Sequence, residues 1–252
     1  MFGKAESVYA ATGERLTCGL SNGYLKNMKF ILFDIDCTLI DSGGAGTKSL
    51  DIAFEEMFSI SDAFKNISMA GKTDLGIIRE GINMHGIEYS DEVIPGFCKT
   101  YIKHLRHNIN NDRGHIKAGV REALEILRQD EGLTLGLLTG NIAEGAGIKL
   151  EHFGLDSYFK IGAFGDDDEN RNNLLPIAVD KFHKQHSHRI SYSDCVVIGD
   201  TPMDIRCSKP YGALSIAVAT GPYSFDALSD AGADVVLGTL ADTKRFVSFL
   251  IR

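Results

Sequence analysis

The chain has 252 residues, 44% of them hydrophobic and 24% charged, the balance of a soluble globular protein with room for a sizeable core. A formal net charge of −8 argues against a general nucleic-acid binder, which carries a basic face, but not against an anionic substrate at a locally positive site. No run of about 18 apolar residues marks a membrane span, and five cysteines without a CxxC pair, at positions 18, 37, 98, 195 and 207, read as reduced thiols of a cytoplasmic protein.

Residues 1–27 are mixed and polar, broken by Gly, Asn and Ser, and lack a signal-peptide core. They read as an added leader, as an overlong reading of the gene start, or as a genuine N-terminal extension. The apolar run 29–35 (KFILFDI) predicts a buried strand of a parallel sheet. From 43 to 114 the pattern predicts helices alone. One spans 47–58, with Leu50, Ala53, Phe54, Met57 and Phe58 on one stripe. A second follows Thr73, and a third covers about 90–107. Beyond His115 the pattern alternates. Helices are expected at 117–129, 143–153 and 174–185, and strands at 133–138, 159–164, 195–198, 214–219 and 235–237. This order predicts an α/β fold: a Rossmann-like parallel sheet flanked by helices (residues 28–42 and 116–252), with an all-helical second domain (43–115) inserted after the first strand.

Three strand ends carry the chemistry. In Phe33-Asp34-Ile35-Asp36-Cys37-Thr38 two carboxylates stand two residues apart, so strand alternation sends both to one side. Parallel strand ends are where α/β proteins bind ligands, and carboxylates so close repel unless a cation lies beside them. As plain loop residues they would cap the next helix. Leu137-Leu138-Thr139-Gly140-Asn141 places a hydroxyl and a glycine after a buried strand, suited to a phosphoryl oxygen or simply to a turn and helix cap. Val197-Ile198-Gly199-Asp200-Thr201-Pro202-Met203-Asp204 sets two carboxylates one helical turn apart. Hard oxygen ligands of this kind suit Mg²⁺, and a helix N-cap is the plainer alternative.

In this order, with a helical insertion after the first, the three segments resemble the haloacid dehalogenase-like superfamily, in particular its phosphoglycolate-phosphatase-like branch. The resemblance runs from about residue 28 to the C-terminus. DIDCTLID resembles the family's first motif (DxDGT), LLTGN its second and GDTPMD its fourth. It implies a Mg²⁺-dependent phosphatase acting on a small phosphorylated metabolite through an aspartyl-phosphate. Asp34 is then the nucleophile, Asp36 the acid and base, and Thr139 the holder of a phosphoryl oxygen, with Gly140 and Asn141 beside the substrate. Mg²⁺ falls to Asp34, to the backbone carbonyl of Asp36 and to Asp200, with Asp204 supporting its water shell. A phosphomutase, a phosphonate hydrolase or a catalytically idle binding protein are the alternatives on this fold.

Two positions depart from the family pattern. Cys37 replaces the glycine of the first motif and reads as a tolerated packing substitution. The third motif normally supplies a lysine, but Arg171 is the only cation in 165–174. Arg171 is expected to replace it, with Lys181 as the backup. The acidic run 166–169 reads as a solvated loop. The insertion occupies the position of the family's cap, which closes over the site and selects the substrate. Within it, Lys72 of Gly71-Lys72-Thr73-Asp74 is the expected substrate contact, while Thr73 and Asp74 cap the following helix. Gly43-Gly44-Ala45-Gly46 is the expected hinge. His183, His186 and His188 read as a polar helix end rather than a zinc site. The expected partner is a phosphate ester, without nucleic acid or membrane, on a monomer or homodimer.

Overall fold

In the computed structural model, residues 28–88 and 90–251 are described. The expectations for residues 1–27 therefore lie outside the described residues. The run after Met28 forms β1 (Lys29–Phe33), whose last four residues are buried on both faces. The other strands, in chain order, are β2 (Ile40–Asp41), β3 (His115–Ile116), β4 (Leu133–Leu138), β5 (Gly162–Ala163), β6 (Cys195–Gly199), β7 (Leu214–Val218) and β8 (Val235–Leu237). Six of them make one parallel sheet in the order β5-β4-β1-β6-β7-β8. The chain thus runs outward from β1 to one edge and then returns to build the other side. Such a reversal opens a crevice at the carboxyl ends of the strands beside β1.

The register puts three strand ends level. Phe33 of β1 pairs with Leu137 of β4 and with Ile198 of β6. The residues that follow these strands are accordingly neighbours in space although far apart in sequence. Period-two alternation splits the side chains of β1 between two layers. Ile31 and Phe33 pack with α4 (Val120–Leu127) and α9 (Thr243–Leu250). Phe30 and Leu32 pack with α6 (Leu174–Gln185) and α7 (Pro202–Ser208). The remaining helices of this unit are α5 (Ala143–Phe153) and α8 (Phe225–Asp230).

The stretch after β2 forms α1 (Ala45–Phe58), α2 (Asp74–Met84) and α3 (Val93–Asn108). Their apolar stripes meet in a second cluster centred on Phe54, Phe64, Phe97 and Tyr101. Ile142 and Ile148, at the start of and within α5, join that cluster, so the helical lobe is seated on the sheet's crevice side. The two chain segments that cross between the lobes pair as a short antiparallel ribbon, Ile40 with Ile116 and Asp41 with His115. Two-residue strands have no periodicity to read, and the sequence gives no sign of this ribbon. The helix expected at 117–129 starts only at Val120, because Gly119 turns the chain with φ +81°. The strand expected at 159–164 shrinks to Gly162–Ala163. Among the described residues no helix is long and apolar enough to cross a membrane.

Candidate active site

Asp34 follows β1 directly, and its backbone N–H donates to the Ile198 carbonyl at 2.9 Å, which ties the nucleus of the site to β6. Asp200 follows β6, and Asp204 stands in the first turn of α7. The carboxylates of Asp34, Asp200 and Asp204 lie within 4.8 Å of one another, all buried, the one such group among the described residues. Burial raises the Asp34 pKa to about 6; Arg171 and the Thr139 hydroxyl work against the rise, Asp204 and Asp36 with it. Burial, with Asp204 and Asp34 alongside, pushes Asp200 to about 8. Thr38 donates to Asp200 at 3.2 Å. A methyl group at Gly221 would sit 1.8 Å from an Asp200 oxygen, so only glycine leaves this carboxylate its place.

Among the described residues one cation touches this triad. Arg171, 4% exposed, holds Nη2 3.3 Å from Asp34 and pairs closely with Asp204. Its Nε is buried and has no hydrogen-bond partner among the described residues. Asp204 is held in turn by the backbone N–H and the hydroxyl of Thr201, at 2.9 and 2.7 Å, closing a capping box at the start of α7. It therefore anchors Arg171 and the α7 terminus as well as belonging to the triad. Three carboxylates against one guanidinium leave excess negative charge in a dry place. The donor set is all oxygen, which fits a hard divalent cation such as Mg²⁺. The residues present thus fit the metal that the first and fourth motifs imply.

Asp36 lies two residues on and borders the same cavity, yet its carboxylate belongs to a different setting. It accepts from Lys149 Nζ at 2.6 Å and from Asn141 Nδ2 at 2.8 Å. Burial pushes its pKa up, but the Lys149 charge and these two hydrogen bonds more than offset it and hold the group below the usual carboxylate range. Lys149 also donates to Asn141 Oδ1 at 2.6 Å, and Asn141 Nδ2 reaches the Thr139 hydroxyl at 2.9 Å. Lys149 is the residue of this candidate site that sequence reasoning missed. Its only local signal is that it shares a buried face of α5 with Gly145, Ala146 and Ile148.

The other sequence candidates fall as follows. Gly140 lies against the helical lobe: a methyl group there would meet the Lys72 carbonyl at 2.1 Å. Lys72 borders the cavity, but its ammonium pairs with Glu80. Thr73 caps α2 by accepting from Gly76 N–H at 3.1 Å, and it donates to the Glu169 carbonyl at 2.8 Å. Asp74 does more than cap: its N–H donates to Gly140 O at 2.7 Å, and its carboxylate accepts from Ile142 N–H at 3.0 Å. Lys181 lies away from the cavity, bound to the Gly162 carbonyl at 3.0 Å and to Asp167.

The acidic run is solvent-exposed, as expected of a solvated loop, yet its side chains are also bonded. Asp166 accepts from Ala143 N–H at 2.9 Å, Asp167 from Phe164 N–H at 2.9 Å, and Glu169 pairs with Arg79 of α2 at 2.8 Å. Cys37 is a matter of backbone rather than packing. Its φ is +61°, the left-handed region where glycine is at ease, and its carbonyl accepts from the Thr220 hydroxyl at 2.6 Å. Burial, with Asp200 and Asp36 nearby, pushes its thiol to about 12, so it stays protonated. The polar helix end at 183–188 is only partly solvated: His186 stacks on Phe182 at 4.2 Å between ring centres, and His183 bonds to the Ile190 backbone.

The cavity over these groups measures about 320 Å³ and is walled by both lobes. Residues 31–218 match the family model described as haloacid dehalogenase-like hydrolase. The phosphoglycolate phosphatase of Aliivibrio fischeri is 25% identical over 216 residues, 84% of this chain and 92% of its own. The crystal structure of a hydrolase from Pseudomonas syringae superposes with a TM-score of 0.68 at 22% identity, covering 89% of this chain and all of that one. A putative β-phosphoglucomutase from Bacteroides vulgatus gives a TM-score of 0.62 at 19% identity, with 89% of each chain covered. The motif-bearing strand ends and the family match over most of the chain lead to one assignment: this protein belongs to the haloacid dehalogenase-like hydrolases.

Proposed function

We propose that the protein is a Mg²⁺-dependent phosphatase that hydrolyses a small phosphorylated metabolite through an aspartyl-phosphate on Asp34. The observation that carries this reading is the division of two neighbouring carboxylates between two environments. Asp34 sits among oxygen ligands and faces Arg171, whereas Asp36 sits against Lys149 and Asn141. A pair so divided can hold separate tasks.

Asp34, Asp200 and Asp204, with the Asp36 backbone carbonyl, are the groups that would hold Mg²⁺, and the bound ion supplies charge neutralisation for an anionic substrate. The Asp34 carboxylate oxygen attacks phosphorus while the bond to the ester oxygen breaks. Asp36 gives its proton to that departing oxygen. The ionised state favoured by Lys149 is countered by the bound phosphoryl charge, which raises the affinity of Asp36 for a proton. Asp36 then takes a proton from water as the water oxygen bonds to phosphorus and the Asp34–phosphorus bond breaks, releasing inorganic phosphate. Arg171 meets the charge on the transferring group through the guanidinium that faces Asp34, and Thr139 and Asn141 orient the phosphoryl oxygens. The lobe contact at Gly140 and Asp74 excludes bulk water.

Phosphoglycolate, the substrate named for the curated relatives, stands first among the esters to test, with sugar phosphates and nucleotides beside it. Purified protein should release inorganic phosphate from at least one such ester with Mg²⁺, stop on chelation and recover when Mg²⁺ is restored. A mutase would interconvert a sugar phosphate without net phosphate release. Absence of release from the whole panel at saturating Mg²⁺ would favour the idle binding protein.

A further inference from the structure

Tyr101 of α3 is 1% exposed and belongs to the apolar cluster of the helical lobe. A buried tyrosine hydroxyl normally finds a partner. That of Tyr101 makes no hydrogen bond with the described residues, and the residue borders the cavity. Burial, with Asp74 and Asp36 nearby, holds its pKa well above the ordinary value, so the hydroxyl is a neutral donor.

A second donor points to the same spot. Lys149 Nζ spends two of its three N–H groups on Asp36 and Asn141, which leaves one. Gly46, in the first turn of α1, marks where the two converge. A methyl group there would lie 3.5 Å from Lys149 Nζ and 3.9 Å from the Tyr101 hydroxyl. Glycine therefore leaves open a small space with two unused donors at its wall. Asp36 Oδ2 is 2.6 Å from Lys149 Nζ, so the space begins within a few bonds of any ester oxygen that Asp36 protonates.

We propose that Gly46, Tyr101 and Lys149 form a leaving-group subsite that selects phosphate esters carrying an acceptor oxygen, a carboxylate or a hydroxyl, one or two carbons from the ester oxygen. This rests on the phosphatase reading above, because it takes Asp36 as the group beside the departing oxygen. An ester without such an oxygen leaves both buried donors unpaired, which is how a polar site rejects an apolar analogue.

The test compares kcat/KM for three esters of similar size with the Mg²⁺-loaded protein: phosphoglycolate, 2-hydroxyethyl phosphate and ethyl phosphate. The wild type should prefer at least one oxygen-bearing ester over ethyl phosphate by about tenfold or more. The order of the first two tells whether charge or hydrogen bonding alone is read. Tyr101→Phe removes one donor, and Gly46→Ala fills the space with a residue that a helix accepts readily. Each should bring the preference to within about threefold, mainly through KM. A variant that merely folds poorly loses all three esters in proportion and leaves the preference intact. A preference that survives in both variants, or a wild type that hydrolyses all three alike, overturns the subsite and leaves the phosphatase standing. No hydrolysis of any phosphate ester removes the phosphatase reading itself.

Discussion

Asp34→Asn is expected to lower turnover of every phosphate ester by about 10⁴-fold or more, because the amide cannot form the covalent intermediate. The fold should survive, and a stability measurement separates the two effects. The Asp34 pKa, raised by burial to about 6 from 3.8, means that the native state of the metal-free protein binds this proton more readily than the unfolded chain does. Its stabilising contribution is full below about pH 4 and is lost as the pH rises through 6. Above pH 6 the ionised carboxylate is therefore a burden on the metal-free fold. The amide removes that burden, while Arg171 keeps Asp204 as a partner. Metal-free Asp34→Asn should match the wild type in thermal stability near pH 4 and equal or exceed it near pH 8. Retained turnover would remove Asp34 from the nucleophile role. Lost turnover with a lower melting temperature at pH 8 would reduce Asp34 to a structural residue.

Arg171→Ala is expected to act on both activity and stability. It removes the cation in direct contact with Asp34 and Asp204. If Arg171 meets the charge on the transferring phosphoryl group, kcat/KM should fall by about 10²–10³-fold, or about 3–4 kcal/mol. A loss below tenfold would move that role to another residue. Removing one partner of a buried ion pair also strands the other, at about 3–5 kcal/mol of stability. That cost has a pH signature. Asp34 and Asp200 have values of about 6 and about 8 in the native state, both raised by burial, so they take up protons as the pH falls from 8 to 5. Neutral carboxyls do not need the guanidinium. The stability gap between variant and wild type, both metal-free, should shrink over that range. A gap that stays constant from pH 8 to pH 5 would mean that Arg171 stabilises through packing rather than charge.

Much of this site was legible in the sequence because its chemistry is anchored to strand ends. An apolar run followed by Asp34, another followed by Thr139 and a third followed by Asp200 can be read directly. The level register of β1, β4 and β6 brings their ends together. Arg171 could be found because its position relative to α6 is local. Lys149 could not. It reaches Asp36 across 113 positions of sequence, and a single lysine on an amphipathic helix carries no mark of the direction it will face. The lobe contact was hidden for a similar reason. That Gly140 must be glycine follows from the approach of the Lys72 carbonyl, which only the assembled fold supplies. Cys37 was misjudged because the residue type suggests packing or reactivity, whereas its position demands a left-handed backbone. The 166–169 loop is solvent-exposed, as its charge suggests, but its bonds could not be read ahead: its four acids accept from backbone N–H groups or pair with Arg79.

The central claim is that phosphorus is attacked twice, first by Asp34 and then by water. Stereochemistry at phosphorus reads this directly, since each in-line displacement inverts configuration. Hydrolysis, in ¹⁷O-labelled water, of a phosphorothioate ester made chiral with ¹⁶O and ¹⁸O should release chiral inorganic thiophosphate with net retention. Net inversion would mean a single direct attack by water and would contradict the covalent role of Asp34.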